Sequence, residues 1–284
     1  MSRPEHLMPP ECYYNEDEAV KYTNCTRIIN VQAEMAQRCM ELIGISKEEG
    51  DKAKAEESLF ILDLGCGSGL SGEVISDNGH YWWGVDIIPS MLDVALQRDS
   101  EGELMQGDMG QGFNFTPGFF DAAISVSALQ WLCNADKKSH NPWKRLIAFF
   151  ESLHKSLKLG GKAALQFYPE NSEQMEMISN AAIKSGFAGG IYVDYPESAS
   201  ARKYYLVLNT AVEGKLGVVV QTGKTDEEVC DKAKKRIKKR RSKNGKFDFK
   251  SKFWVYQKKE RQRRQGKEVR LDTKYTGRKR KPKF

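Results

Sequence analysis

Residues 59–70 read Leu-Phe-Ile-Leu-Asp-Leu-Gly-Cys-Gly-Ser-Gly-Leu. The first five are mostly large apolar residues and fit a strand that is buried on both faces. Gly65, Gly67 and Gly69 follow, and only glycine lets a backbone turn this tightly and also approach a ligand closely. Residues 70–78 are predicted to form the next helix, whose free N–H groups face the turn. A strand, a glycine turn and a helix in this order predict a nucleotide-type pocket at the carboxyl end of the strand.

The spacing of the glycines distinguishes this turn from a dinucleotide-binding fingerprint. That fingerprint is G-x-G-x-x-G, whereas the pattern here is G-x-G-x-G, with Leu70 where the third glycine would fall. Asp63 lies two residues before the first glycine, and its charge would repel a diphosphate but suits a cofactor with a positive charge. The pattern resembles the opening motif of class I S-adenosylmethionine (SAM) methyltransferases, which implies SAM as the cofactor. A glycine turn in an unrelated α/β protein is the alternative, and Leu70 and Asp63 disfavour NAD.

Composition places limits on the compartment and on metal chemistry. The 284 residues are enough for one α/β domain and a further segment. Six cysteines occur without a C-x-x-C pair, and four histidines show no ligand spacing, so no metal site is predicted. Without a signal peptide or an apolar run that could cross a bilayer, the sequence predicts a reducing, intracellular compartment and no membrane association.

The net charge of +7 hides an asymmetry along the chain. Residues 223–284 contain 26 Lys/Arg and 8 Asp/Glu, so the preceding part of the chain is acidic. An acidic body with a basic tail is typical of a protein that must find nucleic acid.

Strands alternate with helices through the first part of the chain, which predicts a doubly wound α/β sheet. The predicted strands are 59–63, 81–86, 103–106, 119–125, 162–168, 186–195 and 203–209, and the pattern fails from Ala211 onward. Residues 1–10 are predicted to be extended. Resemblance to the class I family implies a Rossmann-like, seven-stranded sheet in the order 3-2-1-4-5-7-6 with the last strand antiparallel. The predicted segments are an N-terminal segment with a covering helix (1–45), a SAM-dependent methyltransferase domain (46–212), a linker (213–230) and a basic tail (231–284).

Asp86 is the strongest candidate for the cofactor site outside the glycine turn. A carboxylate at the end of the second strand can accept two hydrogen bonds from a ribose diol. The resemblance implies that Asp108 lies against the adenine amino group and that Met109 supplies a backbone N–H, although Gly-Asp-Met could be a plain turn. Tyr22 and Arg27 lie before a predicted helix at 30–43. They either close over the cofactor, with Arg27 contacting its carboxylate, or simply precede a helix that covers one face of the sheet. The predicted cofactor-binding residues are Asp63, Gly65, Cys66, Gly67, Gly69, Asp86, Ile87, Asp108, Met109, Ser125, Tyr22 and Arg27.

The basic tail contains clusters that suit phosphate contacts. Aromatic residues at 253, 254 and 256 are available there for base stacking, so RNA binding is the preferred interpretation over a solvated tail without function. The same clusters could serve as nuclear import signals. The predicted RNA-binding residues are Lys234, Lys235, Arg236, Lys238, Lys239, Arg240, Arg241, Arg278, Lys279, Arg280 and Lys281.

Five motifs together extend the resemblance over nearly the whole chain. They are Arg-Pro-Glu at 3–5, Gly-Cys-Gly-Ser-Gly-Leu-Ser-Gly at 65–72, Gln-Trp-Leu-Cys-Asn-Ala-Asp at 130–136, Phe-Tyr-Pro-Glu-Asn at 167–171 and Tyr-Thr-Gly-Arg-Lys-Arg-Lys at 275–281. With them the chain resembles the eukaryotic 18S rRNA (guanine-N7) methyltransferases of 40S ribosome biogenesis. This implies methyl transfer to guanine N7, a lone pair without a proton, so no general base is needed. Trp131 and Tyr168 are candidates for stacking on the base and Asn171 for a hydrogen bond to it, with ordinary packing as the alternative.

The resemblance also implies partners and a location. The partners are a small zinc-binding methyltransferase activator subunit, small-subunit rRNA and pre-ribosomal particles, and the location is the nucleus and nucleolus, with the cytoplasm left open. The implied order leaves the third strand on an edge, where another chain could extend the sheet and bury Leu104 and Met105. Two alternatives remain: a SAM enzyme acting on a small molecule, and an assembly factor whose presence matters more than its chemistry.

Overall fold

The computed structural model describes residues 4–45, 58–137, 139–198, 201–210 and 218–222, together with 259, 263, 269 and 270. Two compact units are separated along the chain, Met1–Thr225 and Asp226–Phe284. The first unit contains the sheet and its helices. In the second, the Lys259 side chain donates a hydrogen bond to the Arg270 carbonyl (2.9 Å).

One sheet of eight strands organises the first unit, in the order β3-β2-β1-β4-β5-β7-β6-β8. Its strands are β1 (Phe60–Leu64), β2 (Tyr81–Asp86), β3 (Glu103–Gln106), β4 (Phe120–Val126), β5 (Leu157–Phe167), β6 (Ala188–Asp194), β7 (Lys203–Asn209) and β8 (Val218–Thr222). Neighbouring strands are parallel except where β7 pairs antiparallel with β5 and β6. The predicted order of the first seven strands and the α/β class are therefore confirmed.

Helices cover both faces of the sheet. They are α1 (Pro10–Tyr13), α2 (Glu16–Asn24), α3 (Thr26–Ile43), α4 (Leu70–Asp77), α5 (Pro89–Gln97), α6 (Pro142–Ser156) and α7 (Ser172–Lys184). Alternate residues of β1 contribute to different cores: Leu62 and Leu64 join the cluster with α6 and α7, whereas Ile61 joins the cluster with α3 and α4. Successive side chains of a strand point to opposite faces, and both faces of β1 are buried, so its sequence is a continuous apolar run.

Three predictions about the fold need correction. β8 pairs in parallel with β6 inside the predicted linker 213–230, and the three consecutive valines at 218–220 were the available signal for it. The N-terminal residues are not simply extended, because a 3₁₀ turn (Pro4–His6) and α1 lie there. β5 begins at Leu157 rather than Lys162, since the Gly160-Gly161 pair lies within the strand and does not end the element.

Candidate functional site

A pocket opens at the carboxyl ends of four neighbouring strands. Its walls come from the glycine turn after β1 and from the residues that follow β2, β3 and β4, and the N-terminal helices contribute aromatic side chains. The predicted residues that line it are Gly65, Cys66, Gly67, Asp86, Ile87, Asp108, Met109, Tyr22 and Trp131. The topology of the sheet thus brings together segments that lie far apart in the sequence.

The glycine turn has the left-handed backbone that its composition predicts. The φ angles of Gly65, Gly67 and Gly69 are 75°, 52° and 79°. A Cβ added to Gly65 would lie 2.3 Å from the Cβ of Ala128, whereas one added to Gly67 would meet nothing within 4 Å. Gly65 is therefore required by close packing against the segment after β4, and Gly67 leaves open space on the pocket side.

Asp86 ties the end of β2 to the glycine turn. One carboxylate oxygen accepts the Gly67 N–H (2.7 Å) and the other accepts the Ile88 N–H (2.9 Å). Burial raises the pKa of Asp86 to about 6, and the backbone hydrogen bonds oppose that rise. Two backbone donors therefore fix the orientation of a carboxylate that also lines the pocket.

Asp63 lies behind the turn, outside the pocket lining. It is fully buried, and its Oδ2 accepts a hydrogen bond from the Ser71 hydroxyl (2.6 Å). Its Oδ1 has no hydrogen-bond partner among the described residues. Burial raises the pKa of Asp63 to about 7; the Ser71 hydrogen bond opposes this rise and the nearby Asp86 charge adds to it. A buried acid with one unsatisfied oxygen is a site of high negative potential when ionised.

Asp108 forms a bidentate ion pair with Arg145 that the sequence did not reveal. The two terminal nitrogens of Arg145 donate to its two oxygens, each at 3.0 Å, and the Gly110 N–H donates at 2.9 Å. Although burial acts in the opposite direction, these hydrogen bonds lower the pKa of Asp108. A Cβ on Gly110 would lie 2.4 Å from Cζ of Arg145, so this glycine makes room for the guanidinium. Asp108 remains ionised and rigidly placed in the pocket wall.

Aromatic rings gather at the same pocket. The ring of Tyr14 lies edge-on to that of Tyr22 with centroids 5.7 Å apart, and 6.4 Å from the ring of Trp131. The Ser90 hydroxyl donates to the Tyr14 carbonyl (2.6 Å), which anchors this N-terminal segment to α5. Burial raises the pKa of both tyrosines, which stay neutral. Tyr14 was missed, because nothing local distinguishes it from its neighbour Tyr13.

Several predicted site residues lie elsewhere. Arg27 is exposed at the start of α3, so its proposed contact with the cofactor carboxylate has no support in the pocket. The Ser125 hydroxyl is buried and donates to the Leu64 carbonyl (2.6 Å). Gly69 is the N-cap residue directly before α4. The Tyr168 hydroxyl contacts the Met35 sulfur (3.4 Å), and Asn171 caps α7 by accepting the Gln174 N–H (2.8 Å). Asn171 and Tyr168 are therefore outside the lining because helix capping and core packing hold them there.

The predicted RNA-binding residues at 234–241 and 278–281 lie outside the described residues. Within the part of the chain that the structure describes, no group of three His, Cys, Asp or Glu side chains is arranged to hold a metal ion. No helix among the described residues is both long enough and apolar enough to cross a bilayer.

Comparison with known proteins identifies the family. A relative from Dictyostelium discoideum, described as a probable 18S rRNA (guanine-N(7))-methyltransferase, is 50% identical over 295 residues, covering 100% of both chains. A relative from Saccharomyces cerevisiae, the 18S rRNA (guanine(1575)-N(7))-methyltransferase, is 47% identical and also covers 100% of both. The chain belongs to the 18S rRNA (guanine-N7) methyltransferase family. Two family models match, "Methyltransferase domain" at residues 62–165 and "Methyltransferase involved in Williams-Beuren syndrome" at residues 208–282.

A solved structure shows the same fold at lower similarity. It is phosphoethanolamine N-methyltransferase 2 from Haemonchus contortus in complex with phosphomonomethylethanolamine and S-adenosylhomocysteine, with 18% identity and a TM-score of 0.51. The match covers 70% of this chain and 59% of that chain. The family resemblance, the class I fold and SAM as the cofactor are thus confirmed.

Proposed function

We propose that the glycine turn, Asp86 and Asp108 hold SAM in this pocket and that Tyr14 and Trp131 receive the guanine to be methylated. Family membership makes the chain a SAM-dependent methyltransferase that acts on guanine N7 of 18S rRNA. The observation that carries the residue assignment is the pair of buried carboxylates, Asp63 and Asp86, at the glycine turn.

The residues of the turn fit a sulfonium nucleoside better than a dinucleotide. Ionised Asp63 and Asp86 would repel a pyrophosphate, whereas both favour a positive charge. Asp63 lies behind the turn rather than in the pocket lining, and its Oδ1 lacks a partner among the described residues, so its ionised form would favour a positive charge in the pocket through its field rather than by contact. Asp86 lines the pocket at the end of β2, where a carboxylate can accept hydrogen bonds from ribose hydroxyls. Asp108 and Met109 line the next segment of wall, at the end of β3, and suit the adenine.

For this reaction the main tasks of the chain are to position the methyl group against guanine N7 and to exclude water. Bound SAM supplies an electrophilic methyl group, and guanine N7 supplies a lone pair, so no proton needs to be removed at N7. His140, which also lines the pocket, contacts the Arg145 guanidinium (3.2 Å) and thus belongs to the Asp108 ion pair. We infer that Trp131 and Tyr14 stack on a guanine that has left its own stack, because aromatic faces bind bases in this way.

The tail and a partner subunit complete the proposal. Residues 231–284 are proposed to bind small-subunit rRNA and pre-ribosomal particles in the nucleus and nucleolus; their basic composition supports this, and a family model spans 208–282.

The small zinc-binding activator subunit is proposed to pair with β3, which lies at an edge of the sheet. Leu104 and Met105 already pack against the two cores of their own chain. The backbone of β3 is therefore the main feature offered to the partner.

The test of this proposal is methylation by the full-length chain co-expressed with the activator subunit, using labelled SAM and small-subunit RNA, with the methylated atom mapped. Trp131→Ala should lower kcat by about tenfold to a hundredfold, because stacking of a base on an aromatic ring is worth about 1–3 kcal/mol. The Kd for SAM, measured by calorimetry, should change by less than about threefold.

The matched control is Trp143→Ala, because Trp143 is a half-buried tryptophan on α6 that lies outside the pocket lining. Label on another atom of guanine, or equal losses of kcat in the two tryptophan variants, would contradict the proposal. If the chain alone were monomeric, soluble and fully competent to bind SAM, an obligatory activator subunit would be excluded.

The affinity for SAM should rise with pH between about 5 and 8. The free protein holds protons on Asp63 and Asp86 below pH values of about 7 and about 6, and a bound cation favours their ionised forms. SAM binding should therefore release protons and strengthen by up to about tenfold per pH unit for each carboxyl that loses its proton, so at most about a hundredfold per pH unit at the acidic end. S-adenosylhomocysteine lacks the sulfonium charge and should show a flatter profile. Calorimetry in two buffers of different ionisation enthalpy counts the protons; identical profiles for the two ligands would refute this prediction.

The same pKa values give Asp63 and Asp86 a contribution to the pH dependence of stability in the free protein. Because both carboxyls bind protons more tightly when folded than when unfolded, their contribution to the free energy of unfolding should fall as pH rises from about 4 to about 7. Asp108, whose pKa is lowered by Arg145, contributes in the opposite direction. Bound SAM should reduce this fall.

A further inference from the structure

Ser127 is strained at the point where β4 delivers the chain to the pocket. Its φ is 59°, a left-handed value that is uncommon for a residue with a side chain. Ser127 lines the pocket directly after Val126, the last residue of β4. Backbone strain of this kind persists only where the surroundings enforce it, and it is concentrated at functional sites.

Gln166 enforces that conformation. The side-chain oxygen of Gln166 accepts hydrogen bonds from the backbone N–H of Ser127 (2.9 Å) and from the Ser127 hydroxyl (2.8 Å). The backbone carbonyl of Gln166 accepts the same N–H (3.0 Å). Gln166 is fully buried in β5, opposite Val126, and its side-chain amide donates to the Phe167 carbonyl (3.2 Å). Burying a side-chain amide within a sheet costs free energy unless the amide is hydrogen-bonded, and the Gln166 side chain meets this need with two hydrogen bonds from Ser127.

The conformation of Ser127 determines where Trp131 lies. The Gln130 side chain donates to the Ser127 carbonyl (2.9 Å), and the next carbonyl, that of Ala128, accepts the Trp131 N–H (3.2 Å). These bonds start the 3₁₀ helix Leu129–Cys133, which carries Trp131 into the pocket wall. Ala128 packs against Gly65, so the same turn also closes one side of the cofactor hollow.

From this geometry we infer that Gln166 is a positioning residue for methyl transfer: by holding Ser127 in the left-handed conformation, it sets the segment that presents Trp131 to the acceptor guanine. The inference rests on the proposed role of Trp131. It predicts that a residue that adopts positive φ without strain at position 127 would keep this conformation even without the hydrogen bonds of Gln166. Glycine is such a residue.

The test is a double-mutant cycle in the full-length chain, prepared with its activator subunit as above, using Gln166→Met, Ser127→Gly and the double variant. Gln166→Met keeps the length of the side chain but removes the acceptor, and it should lower kcat by about tenfold or more, because small misplacements of reacting groups are costly. The Kd for SAM should change much less. Adding Ser127→Gly should return kcat to within about threefold of the native value, and hydrogen exchange of amides 127–134 should follow the same pattern of loosening and recovery.

The kcat of the double variant separates this role from ordinary packing, and the melting temperature of each variant is measured beside it. If Gln166 only supports the sheet, the double variant will remain as slow as Gln166→Met, and the inference is overturned. A normal kcat in Gln166→Met combined with a large loss in Trp131→Ala would overturn the inference and keep the proposed function. A fully active Trp131→Ala would overturn the stacking role of Trp131 and, with it, this inference, whatever the cycle at Gln166 and Ser127 shows.

Discussion

Gly65→Ala should lower the affinity for SAM by at least about a hundredfold. The added methyl group would lie 2.3 Å from the Cβ of Ala128, far inside the normal contact distance of about 3.5–4.0 Å between carbon atoms. Because Gly65 has a φ of 75°, alanine there also carries a backbone strain of about 1–3 kcal/mol. Relief of the clash requires the turn and the segment after β4 to separate, and both form walls of the pocket.

Gly44→Ala is the matched control for this experiment. Gly44 is the C-cap residue of α3 and has a φ of 77°, but a Cβ there would meet nothing within 4 Å. It therefore imposes the same backbone strain without a clash at the pocket. Removing the opposing methyl group with Ala128→Gly should recover part of the affinity of Gly65→Ala. Calorimetric titration of SAM measures each variant, and equal affinities in Gly65→Ala and Gly44→Ala would contradict the role assigned to close packing.

Asp86→Asn is expected to weaken SAM binding by about a hundredfold. Both carboxylate oxygens accept backbone N–H groups, and an amide can replace only one of them, so a donor would face either Gly67 or Ile88. A hydrogen bond to a charged group is worth about 1.5–3 kcal/mol, and a proposed bond to the ribose would weaken as well. Asp93→Asn changes an exposed carboxylate on α5 and serves as the control. The Kd for SAM and the melting temperature without SAM should both be measured.

The two measurements make the outcome interpretable. A weaker Kd with a nearly unchanged melting temperature would locate the effect in the pocket. A native Kd for SAM in Asp86→Asn would sink the assignment of Asp86 to the cofactor site, because it would show that neither the turn nor the ligand depends on the carboxylate.

Local sequence determined the central elements of this protein. The apolar run of β1, the three glycines and the carboxylate at the end of β2 all lie within 28 consecutive residues, 59–86, and each is recognised by period, conformation or charge. The predicted bounds of β2, β3 and β7 agree with the structure for the same reason. The basic composition of the tail is likewise a property of the sequence alone.

Tertiary structure alone decided which side chains meet at the pocket. Arg145 reaches Asp108 from 37 residues away, Gln166 reaches Ser127 from 39 residues away, and Tyr14 approaches Trp131 from the other end of the domain. Periodicity identifies the buried face of each element but carries no information on which distant polar group will satisfy a buried one. Those pairings arise only when the crossovers of the sheet bring the ends of β1 to β5 to one edge, where each buried donor must find an acceptor within about 3 Å.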